Sequence, residues 1–146
     1  MNKHDIATAG NRALDSVLRD VEAVIAKRKP SKTSPTKRTL DMCRRQGWTV
    51  QVVERWNAFA KIRQDLFGFV DLVAMDGTNI IAIQSTSSAN MAARITKIKA
   101  EPRALTWLQS GGRLFVHGWV QRANRRWECR ETELFAGDLA ASAEST

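Results

Sequence analysis

One aspartate lies in the middle of an otherwise apolar stretch of the chain. Residues 66–75 read LFGFVDLVAM, a composition typical of a strand that is buried on both faces, and Asp71 is the charged residue within it. A buried carboxylate destabilises a fold unless a metal ion or a cationic side chain compensates its charge. Two explanations are therefore open: Asp71 binds a metal, or it forms an ion pair with a residue such as Arg63 or Arg94.

A glutamine is expected to share a face of the sheet with this aspartate. The dipeptide Asp76-Gly77 is a strong hairpin signal, and it predicts a two-residue turn that leads into a returning strand. In that register Asp71 lies opposite Ala82 and diagonal to Gln84, whose side chain points to the same face. A four-residue turn would keep the two polar groups together, whereas a three-residue turn would separate them.

Residues 67–86, FGFVDLVAMDGTNIIAIQST, resemble the core of the PD-(D/E)XK nuclease superfamily. The layout is similar to that of its Holliday-junction-resolvase and VRR-NUC-like branches. In that family a helix precedes a meander of three strands, the second strand carries an aspartate, and the third carries Glu-x-Lys. Asp71 matches the aspartate, whereas Gln84 and Thr86 stand where the motif has its glutamate and its lysine.

The resemblance covers about residues 36–120, and residues 56–71 are also similar to a stretch of uncharacterised phage proteins of this type. It implies an α/β fold with a restriction-endonuclease-like α-β-β-β-α-β core, in which helices flank a mixed central sheet. An N-terminal helix is added to that core. The resemblance further implies an enzyme that binds DNA and hydrolyses its phosphodiester bonds, with Mg²⁺ or Mn²⁺ as the cofactor. Resolvase-like relatives imply a homodimer, because two sites must cut two strands.

The resemblance also assigns roles to individual residues. Asp71 would be the principal metal ligand and Gln84 the second, while Asp65 or Glu54 would complete the set of ligands. Lys97, on the helix that follows the motif, is the best candidate to replace the missing lysine and assist the attacking water. These residues form the predicted catalytic and metal-binding site.

The two departures from the motif leave catalytic activity open. The neutral amide of Gln84 brings less charge to a hard cation than a glutamate would. Thr86 cannot supply the positive charge that stabilises a phosphate during hydrolysis. The chain is therefore either a metal-dependent endonuclease, structure-selective as resolvases are, or an inactive module of the same fold. The inactive module would bind nucleic acid or a partner protein, and a third alternative is an interaction protein that assembles through its N-terminal helices.

The charge balance favours an anionic partner. Lysine and arginine number 23 against 15 acidic residues, which gives a net charge of +8 and makes nucleic acid a common partner for such a chain. Trp56 and Phe59, near two of these cations, could stack on bases, although packing in a core or an interface is the favoured interpretation. The predicted nucleic-acid contacts are Lys61, Arg63, Ser87, Arg94, Lys99, Arg38 and Arg45.

The cysteines and histidines carry no recognisable motif. Cys43 and Cys129 lie far apart without C-x-x-C spacing, so we expect reduced thiols that do no chemistry. With only 2 cysteines and 2 histidines, the sequence also argues against a structural zinc site. His117, in an apolar strand, is expected to be packed and hydrogen-bonded.

The remaining patterns predict three parts of the chain. Residues 1–35 are expected to form an N-terminal helix, over residues 5–27, followed by a basic linker. Residues 36–135 are expected to form the nuclease-like domain, and residues 136–146 a frayed tail. No run approaches the ~20 apolar residues that span a bilayer. The first residues also lack the apolar stretch of a secretory signal, so a cytoplasmic protein is expected, within a bacterial host if it is phage-encoded.

Overall fold

The computed structural model describes residues 14–24 and 32–143, and the chain divides into two units, Met1–Lys32 and Thr33–Thr146. In the first unit, residues 14–24 form a helix, α1, which agrees with the apolar periodicity. The ends of the predicted N-terminal helix and most of the basic linker lie outside the described residues. The large apolar side chains of α1 are exposed: Leu14, Val17, Leu18, Val21 and Val24.

The second unit alternates helices and strands. The elements in chain order are α2 (Pro35–Arg45), β1 (Thr49–Val52), β2 (Arg55–Asn57), β3 (Ile62–Gln64), β4 (Leu72–Met75), β5 (Ile80–Ser87), a 3₁₀ turn (Ser88–Asn90), α3 (Met91–Lys99), α4 (Pro102–Gln109), β6 (Arg113–Gln121), β7 (Trp127–Leu134) and α5 (Ala136–Ala143). None of the described helices combines the length and the apolar character that are needed to cross a membrane.

Five of the strands form one mixed sheet in the order β1-β4-β5-β6-β7. β5 and β6 run parallel, and the other neighbouring strands run antiparallel. The parallel pair is joined by a crossover through α3 and α4, as a parallel connection requires. The predicted α/β class, with a mixed sheet flanked by helices, is confirmed.

The two faces of the sheet are covered by different helices. On one face α2 contributes Cys43 to a core with Leu72, Ala74, Ile81 and Ile83. On the other face α3, α4 and α5 contribute Ile98, Ala104 and Leu139 to the larger core. Because consecutive residues of a strand point in opposite directions, neighbouring residues of β5 serve different layers.

The sequence predicts a helix over residues 36–46 that stops at Gly47, and α2 (Pro35–Arg45) lies within one residue of those bounds. The hydroxyl of Ser34 accepts a hydrogen bond from the backbone N–H of Lys37 at 3.2 Å, and Pro35 occupies the first turn, where no N–H is needed. Gly47, with φ of 78°, takes the left-handed conformation that follows the end of the helix. This helix is the layer that carries Thr39 and Cys43 over the sheet.

The structure differs from the prediction between β1 and β4, where the sequence predicts an irregular or helical segment over residues 56–65. β2 and β3 pair there as a short hairpin. Asn57 Oδ1 accepts the N–H groups of Phe59 and Ala60, both at 3.0 Å, and Lys61 takes a φ of 54°. These features close the turn without a glycine, so the sequence carries no obvious hairpin signal.

The end of the second unit also differs from the prediction of a frayed tail from residue 136. Residues Ala136–Ala143 form α5 instead. Asp138 Oδ2 accepts the N–H of Phe135 at 2.8 Å, and Leu139 is 3% exposed in the larger core. One buried leucine anchors this helix, and the small residues around it hide that signal in the sequence.

Candidate functional site

Asp71 and Gln84 lie directly opposite each other at the start of the β4–β5 pair. Leu72 pairs with Ile83, so the turn between the strands has four residues instead of the predicted two. Continuing this register by one residue places Asp71 opposite Gln84, not Ala82. Gln84 Nε2 donates to Asp71 Oδ2 at 2.6 Å. The predicted register is wrong, but the prediction that the two side chains share a face is confirmed.

The side chain of Asp76 explains the longer turn. Its Oδ1 accepts the backbone N–H groups of Thr78 at 2.9 Å and of Asn79 at 2.7 Å. Gly77, with φ of 97°, allows the chain to turn back within this loop. A turn closed by an aspartate side chain therefore replaces the two-residue hairpin, and it keeps the same faces in register.

A tight turn brings a second acid, Asp65, to Asp71. Leu66 and Val70 exchange backbone hydrogen bonds of 2.9 and 3.0 Å, and Gly68 absorbs the reversal with φ of 79°. The two aspartates flank the bridged pair and face each other across it. The sequence predicts a continuous strand here, whereas the observed strand is only β4, and the bend before it creates the contact between the acids.

Glu54 completes the group from the end of β1. The backbone N–H of Glu54 donates to the carbonyl of Asp71 at 3.2 Å, and Arg63 Nη1 donates to Glu54 Oε1 at 2.9 Å. The three carboxyl groups of Glu54, Asp65 and Asp71 each offer an oxygen that lies within 4.8 Å of the others. We call these three residues the acidic cluster.

The environment of Asp71 opposes its ionisation. The pKa of Asp71 is raised from 3.8 to about 8; burial is the largest cause, and the neighbouring acids Asp65 and Glu54 contribute in the same direction. The N–H of Ser85, which donates to Asp71 Oδ2 at 2.8 Å, acts in the opposite direction. Asp71 therefore holds its proton to a higher pH than usual, and a bound cation would relieve both the burial and the repulsion.

The ion-pair explanation of Asp71 does not hold among the described residues. Asp71 is 3% exposed, and the groups that donate hydrogen bonds to its carboxyl group are an amide and a backbone N–H, not a cation. Arg63 pairs with Glu54 instead. No described cation therefore compensates the carboxyl group of Asp71 at the buried end of the acidic cluster.

A cation-lined cleft of about 670 Å³ opens beside the acidic cluster, with Asp65 in its wall. Arg63 and Lys97, both predicted, line it together with Arg55 and Arg103, which the sequence interpretation missed. Arg55 directly follows Glu54, which was the available signal. Lys97 is exposed on α3, whereas Arg103 is held by an ion pair with Glu101 at 2.7 Å.

The other predicted contacts are not gathered at this cleft. Arg38 and Arg45 belong to α2, on the opposite face of the sheet, and the guanidinium of Arg38 stacks on Trp127 at 3.5 Å. Lys61 lies in the turn between β2 and β3. Three further candidates do not line the cleft: Ser87, Arg94 and Lys99.

The aromatic residues of the β2–β3 hairpin are exposed. Trp56 is 61% exposed and Phe59, at the turn, is 102% exposed, so neither packs in the core. Lys61 and Arg63 on the same hairpin are also exposed. The hairpin therefore presents aromatic and cationic groups together, next to the acidic cluster through Arg63.

The donors of the acidic cluster fit a hard divalent cation. Carboxylate oxygens are the ligands that Mg²⁺ and Mn²⁺ prefer. Gln84 contributes differently from its predicted role, because its Nε2 faces Asp71 and fixes that carboxylate in place. The orientation given to Asp71 is a supporting contact of the kind that tunes metal sites.

Comparison with known proteins adds no relative. No protein-family model matches the chain, and no curated protein or solved structure is significantly similar to it.

Proposed function

We propose that the protein hydrolyses phosphodiester bonds in DNA with the help of a divalent metal ion. The observation that carries this proposal is the acidic cluster, whose three carboxyl groups converge from separate segments beside a cation-lined cleft. An acid group that is buried without a cation partner fits a site that receives one. Phosphates are attracted to the same place by the surrounding arginine and lysine side chains.

The order of the elements supports the proposal. α2 precedes an antiparallel meander of β1, β4 and β5, and α3 and α4 then lead to β6, which is parallel to β5. This order is the one expected of the restriction-endonuclease-like core. Asp71 lies at the start of the second strand of the meander, and Gln84 lies on the third.

Each residue of the site has a role in the proposal. Asp71, Asp65 and Glu54 would hold Mg²⁺ or Mn²⁺, and Gln84 and Ser85 orient the carboxylate of Asp71. When bound, such an ion stabilises charge on the phosphate and lowers the pKa of a water. The side chain of Lys97 is placed in the cleft, where its charge stabilises a phosphate.

The hairpin extends the proposed DNA surface. Trp56 and Phe59 offer exposed rings on which bases can stack, and Lys61 and Arg63 offer charge for the backbone. A solvent-exposed ring at a hairpin turn favours DNA with unpaired or splayed bases over a regular duplex. This preference is why junctions and single strands belong in the test.

The proposal is tested by incubating the protein with supercoiled plasmid, single strands and four-way junctions in Mg²⁺, Mn²⁺ or EDTA. Metal-dependent cutting that is lost in Asp71→Asn supports it. Asp41→Asn is the matched control, because Asp41 is a partly exposed acid on the other face of the sheet, paired with Lys37. Failure to cut any substrate with either metal would overturn the enzymatic proposal.

An inactive DNA-binding module is the second candidate, because Thr86 and Gln84 replace charged residues of the motif. Binding that is intact in EDTA and falls steeply with salt, without cutting, would select this candidate. Binding that does not depend on salt would remove nucleic acid as the partner. Cutting and binding, measured on the same samples, therefore distinguish the nuclease from the inactive DNA-binding module.

We also propose a homodimer that forms through the exposed apolar side chains of α1. Burying these side chains between two copies would remove apolar area from water. Light scattering on the full chain and on Leu18→Asp tests this assembly. A mass that is unchanged by the substitution would discard α1 as the contact.

A further inference from the structure

A second group of ligating side chains lies on the α2 face of the sheet, away from the acidic cluster. β6 and β7 pair His117 with Glu131, and Cys129 lies two residues before Glu131, so its side chain points to the same face. One ligand atom from each of these three residues lies within 4.8 Å of the others. We call this group the His-Cys-Glu cluster.

The imidazole of His117 is held in a fixed orientation. Its Nδ1 lies 3.3 Å from Thr39 Oγ1, which also accepts a hydrogen bond from Trp119 Nε1 at 3.0 Å and lies 3.0 Å from Ser85 Oγ. The threonine hydroxyl has one proton, which Ser85 can accept. Nδ1 of His117 can then donate to Thr39, and this leaves the lone pair of Nε2 directed at the cluster.

The contact between His117 and Glu131 is not a salt bridge at neutral pH. Nε2 lies 3.5 Å from Glu131 Oε1, which is long for a hydrogen bond. Burial lowers the pKa of His117 to about 4, so the ring is neutral. A neutral imidazole with its second nitrogen hydrogen-bonded is the form that binds metals.

We propose that His117, Cys129 and Glu131 bind a zinc ion. Imidazole nitrogen, thiolate sulfur and carboxylate oxygen are the three donor types of zinc sites, and no hard cation selects a thiol. Zn–N and Zn–S bonds of about 2.0–2.3 Å place ligand atoms about 3.5 Å apart, so small side-chain rotations close the group around the ion. The fourth position is left for water or another ligand.

Burial and access are both compatible with this site. Burial raises the pKa of Cys129 to about 12, so the metal-free residue is a thiol, and zinc displaces its proton on binding. The side chain of Glu131 is 48% exposed and provides the entry path, whereas His117 is 3% exposed. The ion would tie β7, an edge strand, to β6.

This proposal departs from the expectation that the cysteine and histidine counts gave. A search of the sequence for spaced Cys and His pairs finds nothing, because the ligands come from two strands and one of them is a glutamate. Only the β6–β7 register brings them together. The proposal is independent of the acidic cluster and of DNA cleavage.

The test titrates the reduced, chelator-treated full chain with Co²⁺, which replaces zinc and reports thiolate ligation by a charge-transfer band in the near ultraviolet. We expect the band in the natural sequence, its loss in Cys129→Ser, and its displacement by Zn²⁺. Glu131→Gln should weaken Zn²⁺ binding at least 10-fold. Glu128→Gln, on the same strand but paired with Arg122, is the matched control and should bind as tightly as the natural sequence.

Two controls keep the result specific. Asp71→Asn should retain the band, because carboxylates give no thiolate signal, and circular dichroism checks that Cys129→Ser is folded. A rise in melting temperature with Zn²⁺ that is absent in Cys129→Ser would support the site without cobalt. Absence of the band in the natural sequence, or its persistence in Cys129→Ser, would overturn the proposal.

Discussion

The acidic cluster and the His-Cys-Glu cluster lie on opposite faces of one sheet and differ in their sets of donor atoms. The first gathers carboxyl groups at the α3 face, and the second gathers nitrogen, sulfur and oxygen under α2. Their positions follow from strand alternation, since Gln84 and Ser85 are neighbours on β5 that point to opposite layers. One sheet can therefore present a hard-cation site and a zinc site without mixing their ligands.

Burial shifts the pKa values of the two clusters in opposite directions. It raises the pKa of Asp71 and lowers the pKa of His117, and in both cases it favours the neutral form. The acid is left with like-charged neighbours, whereas the imidazole is left with a free nitrogen. Without a cation, the first cluster therefore keeps a raised pKa at Asp71, whereas the second keeps a neutral imidazole whose Nε2 faces Glu131.

The largest expected effect is on DNA cleavage, which should depend on the acidic cluster and not on the His-Cys-Glu cluster. Asp71→Asn should reduce metal-dependent DNA cleavage at least about 100-fold, which corresponds to about 2.7 kcal/mol on the activation barrier. The reason is that the principal ligand loses its charge, and initial rates on a four-way junction measure the loss. An equal loss in Cys129→Ser would break the comparison, because both clusters would then belong to one site.

The next prediction concerns the contact by which Thr39 orients the imidazole of His117 for zinc binding. Thr39→Val removes the hydroxyl that holds His117 Nδ1, and we expect Zn²⁺ to bind about 10–100-fold more weakly. Competition with a chromophoric chelator measures this change. Thr96→Val, on α3, is the matched control, because the hydroxyl of Thr96 contacts only the backbone of its own helix. Unchanged affinity in Thr39→Val would show that the ring needs no such support.

A smaller effect is expected at the hairpin. Phe59→Ala should weaken binding to single-stranded DNA by about 1 kcal/mol, the lower end of the range for base stacking, if the exposed ring stacks on a base. Fluorescence anisotropy in EDTA measures the affinity, and Phe135→Ala, at another exposed phenylalanine, is the control. A loss confined to duplex DNA would assign the hairpin to backbone contact instead.

A separate prediction concerns stability instead of activity or binding: the pH dependence of unfolding without metal. The folded state binds a proton at Asp71 more tightly than the unfolded chain, so this contribution to the free energy of unfolding falls as pH rises from about 4 to about 8. His117 acts in reverse, because its pKa falls from 6.5 to about 4 on folding, and its contribution is lost as pH falls through that interval. Asp71→Asn should therefore gain stability relative to the natural sequence as pH rises. Urea unfolding in EDTA measures the difference, and parallel curves would contradict it.

The central strands β4 and β5 were predictable because their composition is strongly biased. Residues around Asp71 are apolar, and Asp76-Gly77 marks a turn, so the α/β class and the shared face of Asp71 and Gln84 follow from the sequence. The exact register did not follow, because it depends on which backbone groups the Asp76 side chain accepts. Composition does not reveal which backbone N–H groups a loop side chain will bind, and those hydrogen bonds set the length of the turn.

Contacts that depend on a chain reversal or on the register of two paired strands were beyond prediction. Asp65 reaches Asp71 only because the chain reverses at Gly68, and the proposed zinc ligands meet only through the β6–β7 register. The β2–β3 hairpin was missed because Asn57 and Lys61 close its turn in place of glycine. These features depend on backbone conformations that the residue types permit without requiring.

Ser85 is linked to both clusters, through its backbone on one face of the sheet and its side chain on the other. Its backbone N–H holds the carboxylate of Asp71, and its hydroxyl contacts Thr39, which orients His117. A movement of this one residue would alter both clusters together, so cations bound at the two proposed sites would be coupled. Thermodynamic reciprocity then requires that whatever one ion does to the affinity of the other is returned by the same factor.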